Sequence, residues 1–178
     1  MHRSWISPKV KVRQSIVHGR GIVAVSEIPR GEAILVWGGA NYTDEAGALE
    51  ALKQGRSVMQ WDDDVFSCEV EGDEGNTESF LINHSCDPNA WMDGVYTICA
   101  RRDICPGEEV VADYALWEAD ESHVSSWSCQ CGARLCRGRV TGADWKDPRL
   151  REQYRGHFSP LLNKRIERDS NEDNSCRV

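Results

Sequence analysis

The chain has 178 residues, of which 40% are hydrophobic and 28% are charged, and it carries a formal net charge of -8. This length and composition predict one globular domain, with at most a small appendage, and exclude a disordered or fibrous chain. No apolar run reaches the roughly 18 residues that a membrane-spanning helix requires. The first residues also lack the apolar core of a secretory signal, so we expect neither feature.

The surplus of negative charge lies in one segment, residues 57–78. Eight of the 29 acidic residues lie in this segment, which contains no Lys or Arg, and the other 21 are balanced by 21 basic residues. An acidic surface repels phosphate backbones, so we expect no direct binding of nucleic acid. The segment either attracts a basic peptide or another cationic ligand, or is a solvated loop that only aids solubility.

The N-terminal half is predicted to be mostly β. Alternating apolar residues predict strands over residues 9–17 and 21–25, and a continuous apolar run predicts another over 33–37. Alanine and leucine at helical spacing predict a short helix over 44–53. Alternation returns in the acidic segment and predicts a strand over 65–70.

The C-terminal half begins with further strands and ends in helices. An Asp-Gly hairpin signal lies inside strand-like residues 91–100, and a Pro-Gly turn precedes a strand over 108–112. Helices are predicted over 148–154 and 160–166, each opening with a proline. The polar residues 169–178 are predicted to form a frayed tail. Many short strands and few helices indicate a mostly-β core.

Three of the eight cysteines lie close together, at Cys129, Cys131 and Cys136. This spacing allows one loop to supply three thiolates to a tetrahedral zinc ion, which needs a fourth ligand from elsewhere in the chain. The candidates by residue type are Cys68, Cys86, Cys99, Cys105, Cys176, His123 and His157. Free thiols in a reducing compartment are the alternative.

Four motifs occur in a fixed order along the chain. They are the turn Gly19, Arg20 and Gly21; the Asn-His-Ser-Cys segment that begins at Asn83; a Gly-Glu-Glu run leading to Asp113 and Tyr114; and the cysteine group. Together they resemble SET-domain protein-lysine methyltransferases with a post-SET zinc motif, of the compact bacterial type, over residues 10–140.

The resemblance implies a fold and a domain organisation. We expect a mostly-β SET-domain fold of several small sheets with a knot-like C-terminal crossing, a zinc-binding lobe and C-terminal helices. The SET domain would comprise residues 1–126, the post-SET motif 127–140, and a helical extension 141–168. Residues 169–178 would form a disordered tail.

The resemblance also assigns site residues. Tyr114 would be the catalytic tyrosine, and S-adenosyl-L-methionine would be the methyl donor. The residues that would contact this cofactor are Gly19, Arg20, Gly21, Asn83, His84, Tyr114 and Val140. A structural zinc ion would be held by Cys86, Cys129, Cys131 and Cys136.

Three positions differ from the family pattern. Ala112 stands where a Phe or Tyr usually limits how many methyl groups fit, and either Trp117 or Trp127 could fill the space it leaves. Trp37 replaces a Tyr of the lysine channel, and Phe80 replaces an Arg.

The resemblance implies an intracellular enzyme acting on a basic protein segment such as a histone tail. The acidic residues 62–78 lie where the family places a substrate-contacting insert. We expect a cytoplasmic protein, or a nuclear one if the substrate is chromatin, with no membrane partner. The alternative is a catalytically weak SET module that binds basic tails. Because Tyr114, Asn83 and His84 are all present, the sequence favours the enzyme.

Overall fold

The computed structural model describes residues 4–38, 42–68, 78 and 80–175. Within these ranges the protein is mostly β, as the sequence predicts. The strands are β1 (Trp5–Ile6), β2 (Val10–Gln14), β3 (Arg20–Ala24), β4 (Ala33–Val36), β5 (Tyr42–Thr43), β6 (Val58–Asp62), β7 (Val65–Cys68), β8 (Asn83–His84), β9 (Ala90–Asp93), β10 (Thr97–Ala100) and β11 (Glu109–Ala112). The helices are α1 (Glu45–Lys53), α2 (Pro148–Gln153), α3 (Pro160–Ser175) and two short 3-10 turns, Tyr114–Leu116 and Asp144–Lys146.

Eight of these strands form one branched sheet and three form a second. The larger sheet has the order β1-β4-β10-β9-β11-β3-β2, with β8 added beside β11, and the smaller has the order β5-β7-β6. Most of the strands that were expected to form several small sheets are thus joined in the larger sheet. The reason is that β11 pairs antiparallel with β3 and parallel with both β8 and β9.

Strand β11 positions the candidate catalytic tyrosine. Its residues Val110 and Ala112 are completely buried in the core, where they pack with apolar residues of the neighbouring strands such as Ile22. Parallel pairing brings Ala112 opposite His84. Tyr114 follows Ala112 by two residues, so the segment that leaves β11 places Tyr114 close to β8.

The C-terminal helices close the same core. Leu150 of α2 and Leu161 and Leu162 of α3 are buried together with Phe158, which lies between the helices. Helix α3 begins at Pro160, and the Ser159 hydroxyl accepts a hydrogen bond from the N–H of Leu162.

Several predicted elements are confirmed with small shifts. The helix over 44–53 begins after Asp44, whose side chain caps it by accepting from the N–H of Gly47. The strand-like residues 91–100 form the hairpin β9–β10, with Gly94 at a φ of 73° in its turn. The strand predicted over 65–70 is present up to Cys68, and its last two positions lie outside the described residues.

Two predicted boundaries are wrong. The strand expected over 9–17 ends at Gln14, because the Ser15 hydroxyl accepts from the N–H groups of Val17 and His18 and turns the chain. The last helix continues through Ser175, past its predicted end at residue 166.

Residues 169–175, expected to be a frayed tail, are thus helical. No glycine or proline interrupts the helix after Pro160, and Asp169 forms an ion pair with Arg151 of α2 at 2.5 Å. Within the described ranges, no helix combines the length and apolar character that a membrane crossing needs.

Candidate active site

A cavity of about 250 Å³ lies where the end of β8 meets the chain that follows β11. Its walls come from four separate parts of the sequence. The lining residues are Val17, His18, Asn83, His84, Tyr114, Trp127, Ser128, Cys129 and Gln130. The structure therefore brings together Asn83, His84 and Tyr114, three residues that the sequence singles out.

Tyr114 is held in place through both its backbone and its hydroxyl. Its N–H donates to Nδ1 of His84 at 3.3 Å, and its hydroxyl donates to the carbonyl oxygen of Ile82 at 2.9 Å. Burial, with a further contribution from the negative charge of Glu109, raises the pKa of Tyr114 to about 12. The phenol is therefore protonated at neutral pH.

His84 is a buried, neutral imidazole. Burial lowers the pKa of His84 to about 4, although the carboxylate of Asp113, 3.7 Å from Nδ1, acts in the opposite direction. In this neutral form Nδ1 can accept the hydrogen bond from the Tyr114 N–H. The two rings also meet edge to face, with centroids 5.2 Å apart.

The glycine turn lies against Asn83. The Asn83 amide Nδ2 donates to the carbonyl oxygens of His18 and Arg20, each at 3.1 Å, and to Oε1 of Glu109 at 2.7 Å. A Cβ atom at Gly21 would collide with the carboxylate of Glu109 and the amide of Asn83. A larger residue there would displace the Glu109 carboxylate and the Asn83 amide from the hydrogen bond between them, which favours glycine at this position.

The other predicted cofactor residues occupy different positions. Gly19 has a φ of 51° in the turn, and the Arg20 side chain is exposed. Val140 is 1% exposed, exchanges backbone and hydroxyl hydrogen bonds with Ser125, and is not among the residues that line the cavity. Its contact with the adenine ring stays a prediction.

Four cavity-lining residues were not named as site residues by sequence reasoning: Val17, His18, Ser128 and Gln130. Trp127 was considered only as a ring that could fill space beside Ala112. The sequence does contain a signal for this side of the cavity. A tryptophan, Trp127, stands among serines directly before Cys129. For Val17 no short-range signal was available, because its place depends on the turn at Ser15.

The sulfur atoms of Cys86, Cys129, Cys131 and Cys136 all lie within 4.8 Å of one another. A zinc ion with bonds of about 2.3 Å would separate tetrahedral sulfurs by about 3.8 Å, and the Cys86 and Cys129 sulfurs are 4.0 Å apart. The geometry therefore fits the metal, and the cluster could hold a zinc ion.

Backbone donors surround this cysteine cluster. The N–H of Arg137 points at the Cys86 sulfur and that of Cys86 at the Cys131 sulfur, both at 3.4 Å. Burial disfavours a thiolate at Cys131, but the N–H groups of Cys86 and Ala133 and the neighbouring thiols lower its pKa to about 7. Deprotonated thiols are the form that binds zinc.

Cys86 is the fourth cysteine, as the resemblance implied. Other candidates among the described residues, Cys68, Cys99, Cys105, His123 and His157, do not join the cluster. Cys176 lies outside the described residues.

Aromatic rings continue from the cavity into the core. The Trp117 ring lies 5.5 Å from the Tyr114 ring and 5.4 Å from Trp37, and the Trp37 ring lies 5.7 Å from Trp61. Trp37 is 4% exposed and Trp61 is 3% exposed, so this series is continuous with the hydrophobic core. It gives Tyr114 an apolar neighbour at Trp117.

Comparison with known proteins agrees with these features. The SET domain family model matches residues 19–115, more than half of the chain. Human histone-lysine N-methyltransferase 2B is 31% identical over 144 residues, which are 72% of this chain and 5% of the relative. The H3 lysine-36 specific histone-lysine N-methyltransferase of Candida albicans is 31% identical over 157 residues, or 80% of this chain and 18% of the relative.

Solved structures share the fold. The methyltransferase domain of human SETMAR superposes with a TM-score of 0.57 at 19% identity, covering 75% of this chain and 58% of that one. KRYPTONITE in complex with mCHG DNA and SAH gives a TM-score of 0.55 at 26% identity, covering 73% of this chain and 28% of that one.

The chain spans only a small part of the curated relatives it matches, at most 18% of the two named above. The matched part nevertheless begins at the glycine turn and ends just beyond Tyr114, so it includes Asn83, His84 and Tyr114 of the candidate site. This chain therefore belongs to the SET-domain family.

Proposed function

We propose that this protein transfers a methyl group from S-adenosylmethionine to the side-chain amine of a lysine in a basic protein segment. The convergence of Asn83, His84 and Tyr114 on one cavity in a SET-domain chain carries this proposal. Its relatives are named histone-lysine methyltransferases, and the KRYPTONITE structure contains SAH, the demethylated form of the cofactor.

The chain's residues fit the cofactor. When bound, S-adenosylmethionine supplies a methyl group on a positively charged sulfonium. The cavity offers a neutral imidazole at His84 and an amide at Asn83, and the absence of a side chain at Gly21 lets the turn pack against that amide. Trp127 adds an aromatic wall, which suits a flat purine ring.

The nucleophile must be a neutral amine. A free lysine has a pKa near 10.4, so presenting it uncharged at pH 7 costs roughly 4–5 kcal/mol. Trp37, Trp117 and the ring of Tyr114 would desolvate the ammonium and lower its pKa, and a nearby sulfonium charge would lower it further. The N–C bond then forms as the S–C bond breaks.

Tyr114 would orient the amine rather than take its proton. With a pKa of about 12 the hydroxyl stays protonated, and it already donates to the carbonyl oxygen of Ile82. Its free lone pairs can accept a hydrogen bond from the amine or weak contacts from the methyl group. Water would receive the lysine proton, since a protonated phenol is no base at pH 7.

The substrate we propose is a basic segment such as a histone tail. Its support is the acidic stretch 62–78, of which Asp62, Asp63, Asp64 and Glu78 are described; Asp62 ends β6, and Asp63 and Asp64 form the turn to β7. A histone substrate would place the protein at chromatin, and another basic protein would leave it cytoplasmic.

The test is methyl transfer from isotope-labelled S-adenosylmethionine to core histones and basic peptides, read by mass spectrometry. We expect label on lysine, and a loss of roughly 100-fold or more in the rate for Tyr114→Phe. Cofactor binding by the variant should remain, because the ring that lines the cavity is kept. Intact cofactor binding by the wild type without label on lysine in histones, peptides or a cell lysate would favour a binding module instead.

A further inference from the structure

The carboxylate of Glu109, in β11, lies beneath the loop that forms one wall of the cavity. The Ser15 hydroxyl is 2.8 Å from each of its oxygens. That hydroxyl accepts in turn from the N–H groups of Val17 and His18, at 2.8 and 3.0 Å, and both of these residues line the cavity. Glu109 therefore anchors the loop through a residue 94 positions away in sequence.

The same carboxylate fixes the orientation of the Asn83 amide. An ionised carboxylate can only accept hydrogen bonds, so the NH2 group of Asn83 must face Glu109, as it does at 2.7 Å. The remaining donor capacity goes to the carbonyl oxygens of His18 and Arg20. Over the described part of the chain no donor reaches Asn83 Oδ1, which is left as an acceptor on a cavity residue.

The charge of Glu109 is not neutralised locally. Within the described ranges no Lys or Arg forms an ion pair with it, whereas its neighbour Glu108 pairs with Arg102 at 2.8 Å on the surface. The negative charge of Glu109 also acts on Tyr114. Burial is the first cause of the raised pKa of Tyr114, and the charge of Glu109 is the second. An unpaired negative charge beside a small cavity favours a cationic ligand.

We propose that Glu109 selects the charged cofactor over the spent one. S-adenosylmethionine carries a sulfonium charge, and S-adenosylhomocysteine has lost that charge together with the methyl group. Glu109 is a positioning residue for Asn83 and the Ser15 loop, and its charge adds a preference for the sulfonium form. This inference rests on the proposed function and goes beyond it, because it predicts easier release of the product.

The test compares the dissociation constants of both nucleosides, measured by isothermal titration calorimetry on the full chain. We expect Glu109→Gln to weaken S-adenosylmethionine binding on the order of tenfold and S-adenosylhomocysteine binding only about threefold, because only the first ligand loses a charge–charge attraction. Ser15→Ala removes a hydrogen bond but keeps the charge, so it should weaken both ligands by the same factor. The matched control Glu108→Gln removes a neighbouring surface carboxylate and should change neither.

Each outcome of this experiment is decisive. If the wild type binds neither nucleoside, the proposed function fails and this inference fails with it. If the wild type binds both, and Glu109→Gln weakens both equally or not at all, Glu109 has only a structural role and the inference alone is overturned. If thermal melting shows that Glu109→Gln does not fold, Glu109→Asp is the second variant, because it keeps the charge. It should retain the wild-type ratio of the two dissociation constants. A ratio that differs from that of the wild type would overturn the inference.

Discussion

Ala112 is fully buried in β11, two residues before Tyr114, where the family resemblance predicts a Phe or Tyr ring. The structure shows which rings lie beside Tyr114 itself. Trp117 lies 5.5 Å from the Tyr114 ring on one side, and Trp127 lies 6.4 Å away on the cavity side. Both tryptophans named from the sequence thus contact the tyrosine, but on different flanks.

Trp117 is the ring that we expect to limit the number of methyl groups added. In Trp117→Leu the space beside the Tyr114 ring grows, so the fraction of multiply methylated lysine should rise severalfold. Mass spectrometry of the product peptide measures this distribution. Trp127→Leu is the matched comparison, and it should weaken cofactor binding instead because Trp127 lines the cavity. An unchanged methyl distribution in Trp117→Leu would contradict this assignment.

Sequence reasoning named the cavity residues that lie in contiguous motifs and did not find the contacts made between distant parts of the chain. Asn83, His84 and Tyr114 each lie in a recognisable run of residues. Ser15 lies in no such run, and Glu109 was noted only as part of the Gly-Glu-Glu run; their contact depends on β3 bringing the turn over β11, and no local pattern encodes that pairing. Val140 is hydrogen-bonded to Ser125, and its expected contact with the adenine ring stays a prediction.

At the scale of elements, predictions succeeded where local chemistry decides. The Asp-Gly turn of the β9–β10 hairpin and the cap of α1 at Asp44 depend only on neighbouring residues. The two-residue strands β1, β5 and β8 are too short for a periodic pattern and form because longer strands pair with them. Helix α3 outlasts its predicted end for a similar reason, because Asp169 gains a partner in α2.

The cysteine loop, residues 129–136, lacks regular secondary structure. It has no strand or helix between Cys129 and Cys136, and Cys86 reaches it from the loop after β8. Since Cys129 also lines the cavity, order in this loop and order at the cofactor site are linked. A bound metal ion would therefore stabilise the cavity wall as well as the loop.

Removing the metal should weaken both folding and cofactor binding. We expect about one zinc per chain by elemental analysis, and loss of it in Cys136→Ser or on chelation, with a fall in stability of several kcal/mol. S-adenosylmethionine binding should weaken at least roughly tenfold. Cys105→Ser, at an exposed cysteine outside the cluster, is the matched control and should keep the metal. A metal-free protein with wild-type cofactor affinity would contradict the coupling.

At the scale of the whole molecule, one buried carboxylate connects the sheet, the cysteine loop and the C-terminal helices. Asp113 is completely buried, and its two oxygens accept from two guanidinium nitrogens of Arg137 at 2.6 and 2.7 Å. The hydroxyl of Tyr154 donates to the same carboxylate at 3.1 Å, and the N–H of Ala115 donates at 3.0 Å. Asp113 directly precedes Tyr114, so these contacts also fix where the tyrosine leaves the sheet.

Replacing Asp113 should lower the free energy of unfolding far more than removing one of its hydrogen-bond donors. In Asp113→Asn the guanidinium of Arg137 loses a bidentate charged partner in a buried site and keeps only Asp144, at 2.9 Å. We expect a loss of about 3–5 kcal/mol in the free energy of unfolding, measured by urea denaturation. Tyr154→Phe removes a single hydrogen bond to the same carboxylate and should cost about 1 kcal/mol. Equal costs for the two variants would show that Arg137 does not depend on Asp113, and that the cysteine loop is attached to the sheet by other contacts.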